Sequence, residues 1–365
     1  DQCIRPLCHA SSSRVSMHRA QHVQSTRLRR RRRIRPNRAL QSSEKHPKSY
    51  DVEEKQLKNS LHGLIGAMQT VDTLIIGGGA AGLQAALVMV RARRSVLVVD
   101  SSTPRNRFAH EIHGVIALEG TPPLEFQERG KEQVRSYGVQ IMEATVDSVT
   151  DNDRTLTVTL SNGDTVAARS IIVASGVDDV HLPIPGLEEN WGDTVLHCPY
   201  CHGYEVADKN LGVLCIGEFS LQHAAILRQW SENITFFTNG MELTEEQRSG
   251  LTRRGMALVD GPVTAFHNGK VLVGDDDHAV DALFYMPIPH PHDEFLADLN
   301  LERHSPPSGM GGSLIKVGPA GATSHPRIWA VGNVVNPPAQ VAVAMGEANA
   351  AAIAVNAFLV EDDWI

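Results

Sequence analysis

Long apolar runs are missing from this 365-residue sequence. No stretch of eighteen or more apolar residues occurs, which excludes a membrane-spanning helix from the reading. Cysteine is scarce as well: five in a chain of this length cannot form the framework of a small secreted disulfide scaffold. Acidic residues are nearly missing from the start, where Asp1 is the only one before Glu44. What is present is ordinary for a globular protein, with 42% hydrophobic and 21% charged residues and length for two domains with a sizeable core.

The net charge of −8 conceals two unlike parts. Residues 1–67 carry 15 Lys+Arg against 5 Asp+Glu, a net of +10, so the remaining 298 residues carry −18. Eight arginines fall between Arg27 and Arg38, serines are frequent, and no hydrophobic period is visible. Like charges at this density repel, and little apolar surface offsets ordering entropy, so the segment is expected to be a disordered basic extension. An organelle transit peptide, a nucleic-acid or nuclear-import patch and a membrane-surface tether compete with a plain solvated extension. Met68, directly before the first strand, stands where an initiator would, and upstream sequence mis-joined to the gene is a further reading. Cys3 and Cys8 have no ligand partners at metal spacing. The acidic body repels polyanions, so no nucleic acid is expected there. A cytoplasmic location is expected for it, or an organelle if the extension is a transit signal.

From Val71 the chemistry becomes legible. Val71–Ile76 is an apolar run suited to a buried parallel strand. Gly77, Gly79 and Gly82 follow as G-x-G-x-x-G, with Ala80 and Ala81 inside the pattern. A helical stretch then runs to about Arg91, and a second strand ends at Asp100. Gly77 permits a tight turn, Gly79 lets the backbone approach a pyrophosphate, and Gly82 lets helix and strand pack closely. The helix start offers unpaired N–H groups to phosphate. Asp100 stands where an acid accepts hydrogen bonds from ribose hydroxyls. Strands on both sides and the acid in place make this a dinucleotide site rather than a chance glycine turn.

Near the C-terminus, Arg327–Val331 reads as a strand running into Gly332 and Asn333, before a small-residue helix from about Ala339 to Leu359. With an N-terminal fingerprint, such a late strand belongs to an extended FAD site. Asn333 would meet the ribityl chain, and the Gln340 region would offer N–H groups to a reduced flavin. A surface strand and core helix without ligand is the alternative.

Between these lies Cys198-Pro199-Tyr200-Cys201-His202-Gly203. Two cysteines three apart fit a reversible dithiol/disulfide. A mixed zinc site with His197 and His202, and two inert buried thiols, are the competing readings. Ligands so close in sequence rarely close one tetrahedron. His202 titrates near neutrality and can exchange a proton with a departing thiolate.

FAD fingerprint, central C-x-x-C and late glycine strand, in this order, resemble the low-molecular-weight thioredoxin reductase family from Met68 to Ile365. The hexad C-P-Y-C-H-G, with Tyr204 and Glu205 after it, resembles the branch that includes fungal dithiol oxidases and bacterial homologues. Pro104-Arg105-Asn106-Arg107, His113-Gly114 and Ile171–Gly176 also match that branch. The resemblance implies an α/β fold of two Rossmann-like dinucleotide-binding domains. A discontinuous FAD domain, 68–182 and 312–365, would hold an inserted NAD(P)-binding-like domain, 183–311, that carries the C-x-x-C. It implies Cys201 as the thiolate over the flavin, Cys198 as the outer thiol that meets substrate, and His202 in place of an acidic proton donor. It also implies a homodimer.

The second nucleotide motif departs from the family pattern. Cys215 replaces its first glycine, only Gly217 is retained, and Glu218 at the helix start would repel a pyrophosphate. After the strand Ile234–Phe237 no basic residue precedes Arg248, where a 2′-phosphate needs one. The expected activity is therefore an FAD-dependent dithiol/disulfide oxidoreductase not using NADP(H) in the usual mode. Its substrate would be a small-molecule dithiol or disulfide, or a thioredoxin-like protein, with oxygen or ferredoxin as electron partner. An NADPH-dependent thioredoxin-disulfide reductase is the alternative, and a non-enzymatic flavoprotein-like module with a basic tail the third.

Overall fold

The computed structural model describes residues 69–305 and 312–364. The basic extension, Met68, Cys3, Cys8 and most of the expected return crossing near Pro306 lie outside the described residues.

Two parallel sheets organise the chain. Apolar residues on both faces are what such sheets require, and the runs here supply them. In β1 (Gln69–Ile76), Leu74 and Ile76 face one core cluster while Ile75 faces the other, the period-two alternation of a strand. The glycine turn leads into α1 (Ala80–Arg91) and then β2 (Val96–Asp100), which pairs parallel to β1. Next come α2 (Pro123–Ser136), β3 (Gln140–Glu143), β4 (Val146–Asp151), β5 (Leu156–Leu160) and β6 (Thr165–Val173). The first sheet has the order β3-β2-β1-β6-β5-β4, with β5 antiparallel to both of its neighbours, β4 and β6.

β7 (Val177–Val180) leaves this sheet. β8 (Val195–Leu196), the short helix α3 (Pro199–His202), β9 (Leu211–Leu214), α4 (Phe219–Leu227), β10 (Ile234–Phe237), α5 (Glu245–Arg253) and β11 (Ala257–Val259) follow. A small antiparallel sheet is formed by β12 (Val263–His267), β13 (Lys270–Val273) and β14 (Asp276–Ala279). β15 (Ala282–Phe284) completes a second parallel sheet of order β11-β10-β9-β15-β8. β16 (Ile288–Pro291) then pairs antiparallel with β7, so outgoing and returning chains form one two-stranded ribbon. β17 (Arg303–His304) and β18 (Leu314–Ile315) pair with each other, and β19 (Ile328–Ala330) joins β6 in the first sheet.

The final helix α6 (Val341–Asp362) packs on α1 through Ala344, Ala348, Ala351, Ala352, Val355 and Leu359. Small side chains let it approach Ala85, Ala86 and Met89 closely. By length and composition α6 is apolar enough to cross a membrane, contrary to the expectation that no such segment exists. Glu347, Asn349 and Asn356 interrupt the strictly apolar run and hid it. Its alanine stripe is part of the core shared with β1, β6 and β19. Helix limits also differ from expectation. The sequence pattern suggests helices from about Leu83 to Arg91 and from Leu221 to Trp230, whereas α1 begins at Ala80 and α4 spans Phe219–Leu227.

Candidate active site

One elongated cleft gathers widely separated segments. It is lined by Gly77, Gly79, Ala80 and Ala81, by Asp100, by Cys201 and His202, and by Asn333 and Gln340. Gly82, expected to pack helix against strand, Gly332, and Cys198, expected as the outer thiol, do not line it.

The glycines divide by what a side chain would meet. At Gly77, with φ +103°, an added Cβ would lie 2.3 Å from the Ala174 carbonyl oxygen. At Gly82 it would lie 1.8 Å from the Gly77 carbonyl oxygen, so this glycine sets the close helix–strand contact. Gly332 has φ +70° and faces Ala81, so it frames the cleft rather than lining it. Of the three fingerprint glycines, Gly79 alone faces open space, with no atom within 4 Å. A dinucleotide phosphate needs such an approach, at a helix N-terminus whose first N–H groups are free. Gly78, not singled out from sequence, is equally constrained, because its Cβ would fall 2.5 Å from the Asp100 carboxyl carbon.

Asp100 is 4% exposed and held from three sides. The Gly78 N–H donates to its Oδ1 at 2.9 Å, Lys131 Nζ lies 3.1 Å from Oδ2, and Gln127 Nε2 lies 3.4 Å from Oδ2. Gln127 also donates to the Gly78 carbonyl at 3.0 Å. Gln127 and Lys131 are four residues apart on the buried stripe of α2. That pattern was a readable signal, since a helix seldom buries a Lys without a partner.

The late turn is held by Glu347 of α6, which accepts from the Gly332 N–H at 3.0 Å and from Asn336 Nδ2 at 2.7 Å. Asn333 lines the cleft, but its Nδ2 donates to the carbonyls of Asn336, Pro337 and Ala339 at 3.2, 3.0 and 2.9 Å. Its amide nitrogen therefore closes its own loop and is not free for a ribityl contact. Arg105 ties the same region to the exit ribbon. It forks onto Asp179 of β7 and donates to the Pro337 carbonyl.

Cys198 and Cys201 are joined as a disulfide, so their sulfurs are bonded to each other rather than offered to zinc. Pro199 opens the one-turn helix α3, and the Cys201 and His202 N–H groups both donate to the Cys198 carbonyl. This turn sets Cys201 on the cleft wall and Cys198 off it. Gln340, at the N-cap of α6, reaches the pair with its side chain. Nε2 stands 3.6 Å from Cys198 Sγ and 3.8 Å from Cys201 Sγ.

Imidazoles surround the disulfide. His202 has both ring nitrogens buried without a hydrogen-bond partner. Burial holds its pKa below the ordinary value, against the pull of Glu205, so the ring is neutral near pH 7. His197 stacks on Trp191 at 5.3 Å between centroids, and burial, with Arg105 adding, drives it down to about 3. His113 behaves oppositely. Its hydrogen bond to Glu119 at 2.7 Å, with Glu205 and Glu111 nearby, raises it.

The crevice of the second sheet is built differently. Cys215 is 1% exposed, a core thiol, with burial raising its pKa. The Ile216 N–H is taken by Ser220 Oγ at 3.0 Å. The Phe219 ring sits 3.3 Å from where a Gly217 Cβ would be. Beyond β10, Thr238 and Asn239 accept from the Gly261 and Val263 N–H groups. Arg248 is forked onto Asp260 at 2.7 and 2.9 Å.

Fold and site together define a two-sheet dinucleotide-binding protein with a redox disulfide against its first nucleotide cleft. Residues 71–348 match the family described as pyridine nucleotide-disulphide oxidoreductase, and the chain belongs to it. Within that family it is thioredoxin-reductase-like. It is 39% identical over 183 residues to thioredoxin reductase tcpT of Claviceps purpurea, covering 47% of this chain and 56% of that protein. It is 27% identical over 310 residues to thioredoxin reductase aclD of Aspergillus oryzae, covering 80% and 97%. The solved structure titled HlmI is 38% identical, with TM-score 0.77 over 82% of this chain and 96% of that one. The chain thus spans about half the length of the Claviceps relative and nearly all of the Aspergillus one.

Proposed function

We propose that this chain is an FAD-dependent dithiol oxidase. In this reading 68–182 and 312–365 hold FAD, and 183–311 carries the cysteines. One observation carries it: Cys201, bonded to Cys198, lies on the wall of the same cleft as the glycine turn and Asp100. The open face of Gly79, the free N–H groups of α1 and the fixed carboxylate of Asp100 fit the pyrophosphate and ribose of the dinucleotide.

A substrate thiolate attacks Cys198 Sγ. The Cys198–Cys201 bond breaks, a mixed disulfide forms, and Cys201 leaves as a thiolate. The second substrate thiolate then attacks the substrate sulfur of that mixed disulfide, closing the substrate disulfide and releasing Cys198. The substrate has lost two electrons and two protons. The cysteine pair holds the electrons and one proton, as Cys198 thiol and Cys201 thiolate. Neutral His202, with an unshared ring lone pair, takes the other proton. FAD held in this cleft would supply the two-electron acceptor for the Cys198 thiol and Cys201 thiolate, with oxygen as the terminal acceptor.

The second crevice supports the departure from NADPH. Its Ile216 N–H is engaged by Ser220, Phe219 crowds Gly217, and Arg248 is neutralised by Asp260. The names of the relatives favour the other reading, an NADPH-dependent reductase of thioredoxin-like proteins. Anaerobic mixing decides. Excess dithiothreitol is expected to bleach the flavin band and air to restore it, whereas NADPH leaves the band unchanged. Rapid bleaching by NADPH would establish the reductase instead.

Pairing with a second copy belongs to the same proposal. On α6, Val343, Gly346, Ala350, Ile353, Ala357 and Val360 are exposed at alternating spacings of three and four, with no charge among them. An uncharged seam of this period suits a facing helix of another copy.

A further inference from the structure

We propose that Gln340 is a thiolate-stabilising residue that makes the Cys198–Cys201 pair a stronger oxidant. The inference rests on the redox reading of the pair given above and adds what sets its direction. Gln340 Nε2 points at both sulfurs, at 3.6 and 3.8 Å, and among the described residues it has no other acceptor. It sits at the N-cap of the 22-residue helix α6, where the first-turn N–H groups add partial positive charge on the same side.

A disulfide sulfur is neutral and a weak acceptor. A thiolate is charged, and hydrogen bonds to charged acceptors are about twice as strong as neutral ones. The amide therefore binds the reduced pair more tightly than the oxidised pair. A group that favours one state shifts the equilibrium by that difference alone. Stabilising the reduced state raises the potential, so the pair draws electrons from a substrate dithiol more readily. The sequence placed Gln340 only near a flavin edge. The fold carries it across to the sulfurs, because α6 begins directly opposite α3.

The test is a redox titration of the full chain with reduced and oxidised dithiothreitol, read by alkylating free thiols and weighing the protein. Mass reports the pair whether or not a variant keeps its flavin. Gln340→Met keeps length and packing but removes the N–H. Gln340→Glu keeps shape and places an anion at the sulfurs. Wild type is expected to be reduced most readily. Gln340→Met should lower the exchange constant about tenfold, which is about 30 mV for a two-electron couple. Gln340→Glu should lower it further. Constants for both variants within twofold of wild type would overturn the proposal. So would Gln340→Met falling below Gln340→Glu, because shape and not charge would then govern. A wild-type Cys198–Cys201 bond that resists dithiothreitol would instead overturn the redox reading itself, and this inference with it.

Discussion

Replacing Gly79 by Ala separates holding a cofactor from holding a fold. Gly79 has φ −77° and ψ −168°, a conformation open to any residue, and its Cβ would meet nothing within 4 Å. The protein should therefore lose little stability. Alanine is a poorer N-cap than glycine, at about 1 kcal/mol or less, and the apoprotein melting temperature should fall by about 2–4 °C at most. The methyl group instead occupies the face the pyrophosphate must approach. Losing one backbone N–H bond to a charged phosphate costs about 1.5–3 kcal/mol, or about 10- to 150-fold in FAD affinity. The assay is flavin fluorescence quenching on reconstitution of apoprotein, beside melting curves with and without FAD. The rise in melting temperature given by FAD should shrink as affinity falls. Gly82→Ala is the contrasting perturbation. Its Cβ would lie 1.8 Å from a backbone oxygen that cannot step aside. Apoprotein stability itself should then drop, by about 1–3 kcal/mol or more. Wild-type FAD affinity in Gly79→Ala would refute the assignment of this turn. Equal loss of apoprotein stability in both variants would refute the division of roles between the two glycines.

Lys131→Met should leave the buried Asp100 carboxylate without its cation, costing about 3–5 kcal/mol in denaturant unfolding. Adding Asp100→Asn should restore part of that stability but none of the FAD affinity, and full restoration of both would remove Asp100 from the site. His113 has a raised pKa when folded, so the stability it contributes is complete below its ordinary value near 6.5 and is lost as pH rises through the raised one. Melting curves of His113→Asn and wild type should accordingly differ at pH 6 and converge toward pH 9; a gap that widens with pH contradicts the assignment. Ile353→Glu places a charge in the exposed seam of α6 and should convert a dimer to a monomer in light scattering, with the dithiothreitol-reducible flavin retained.

The local parts of the site were legible because their constraints are local. Gly77, Gly79 and Gly82 are spaced by one tight turn and one helical turn, and Asp100 ends the next strand. Cys198 and Cys201 sit one helical turn apart, the separation that brings two sulfurs together. Asn333 was placed on the right wall, but its amide closes its own loop, and nothing in a single sequence shows three carbonyls folding back on one side chain. That Gly332 sits against Ala81 is visible only in the packed structure. α6 escaped notice as a long apolar helix because Glu347 breaks the run, yet that same Glu347 holds the late turn.

By itself the sequence determined which groups are present: a glycine-rich turn, a carboxylate at a strand end, a pair of sulfurs and an adjacent imidazole. Each is fixed by residue type at short spacing, where backbone geometry leaves few alternatives. Which groups meet was decided only by the tertiary structure. Lys131 behind Asp100, and Gln340 against the sulfurs 139 residues away from Cys201, are contacts between distant segments. Such contacts depend on how helices pack on a sheet, and no local pattern in the chain encodes that distance.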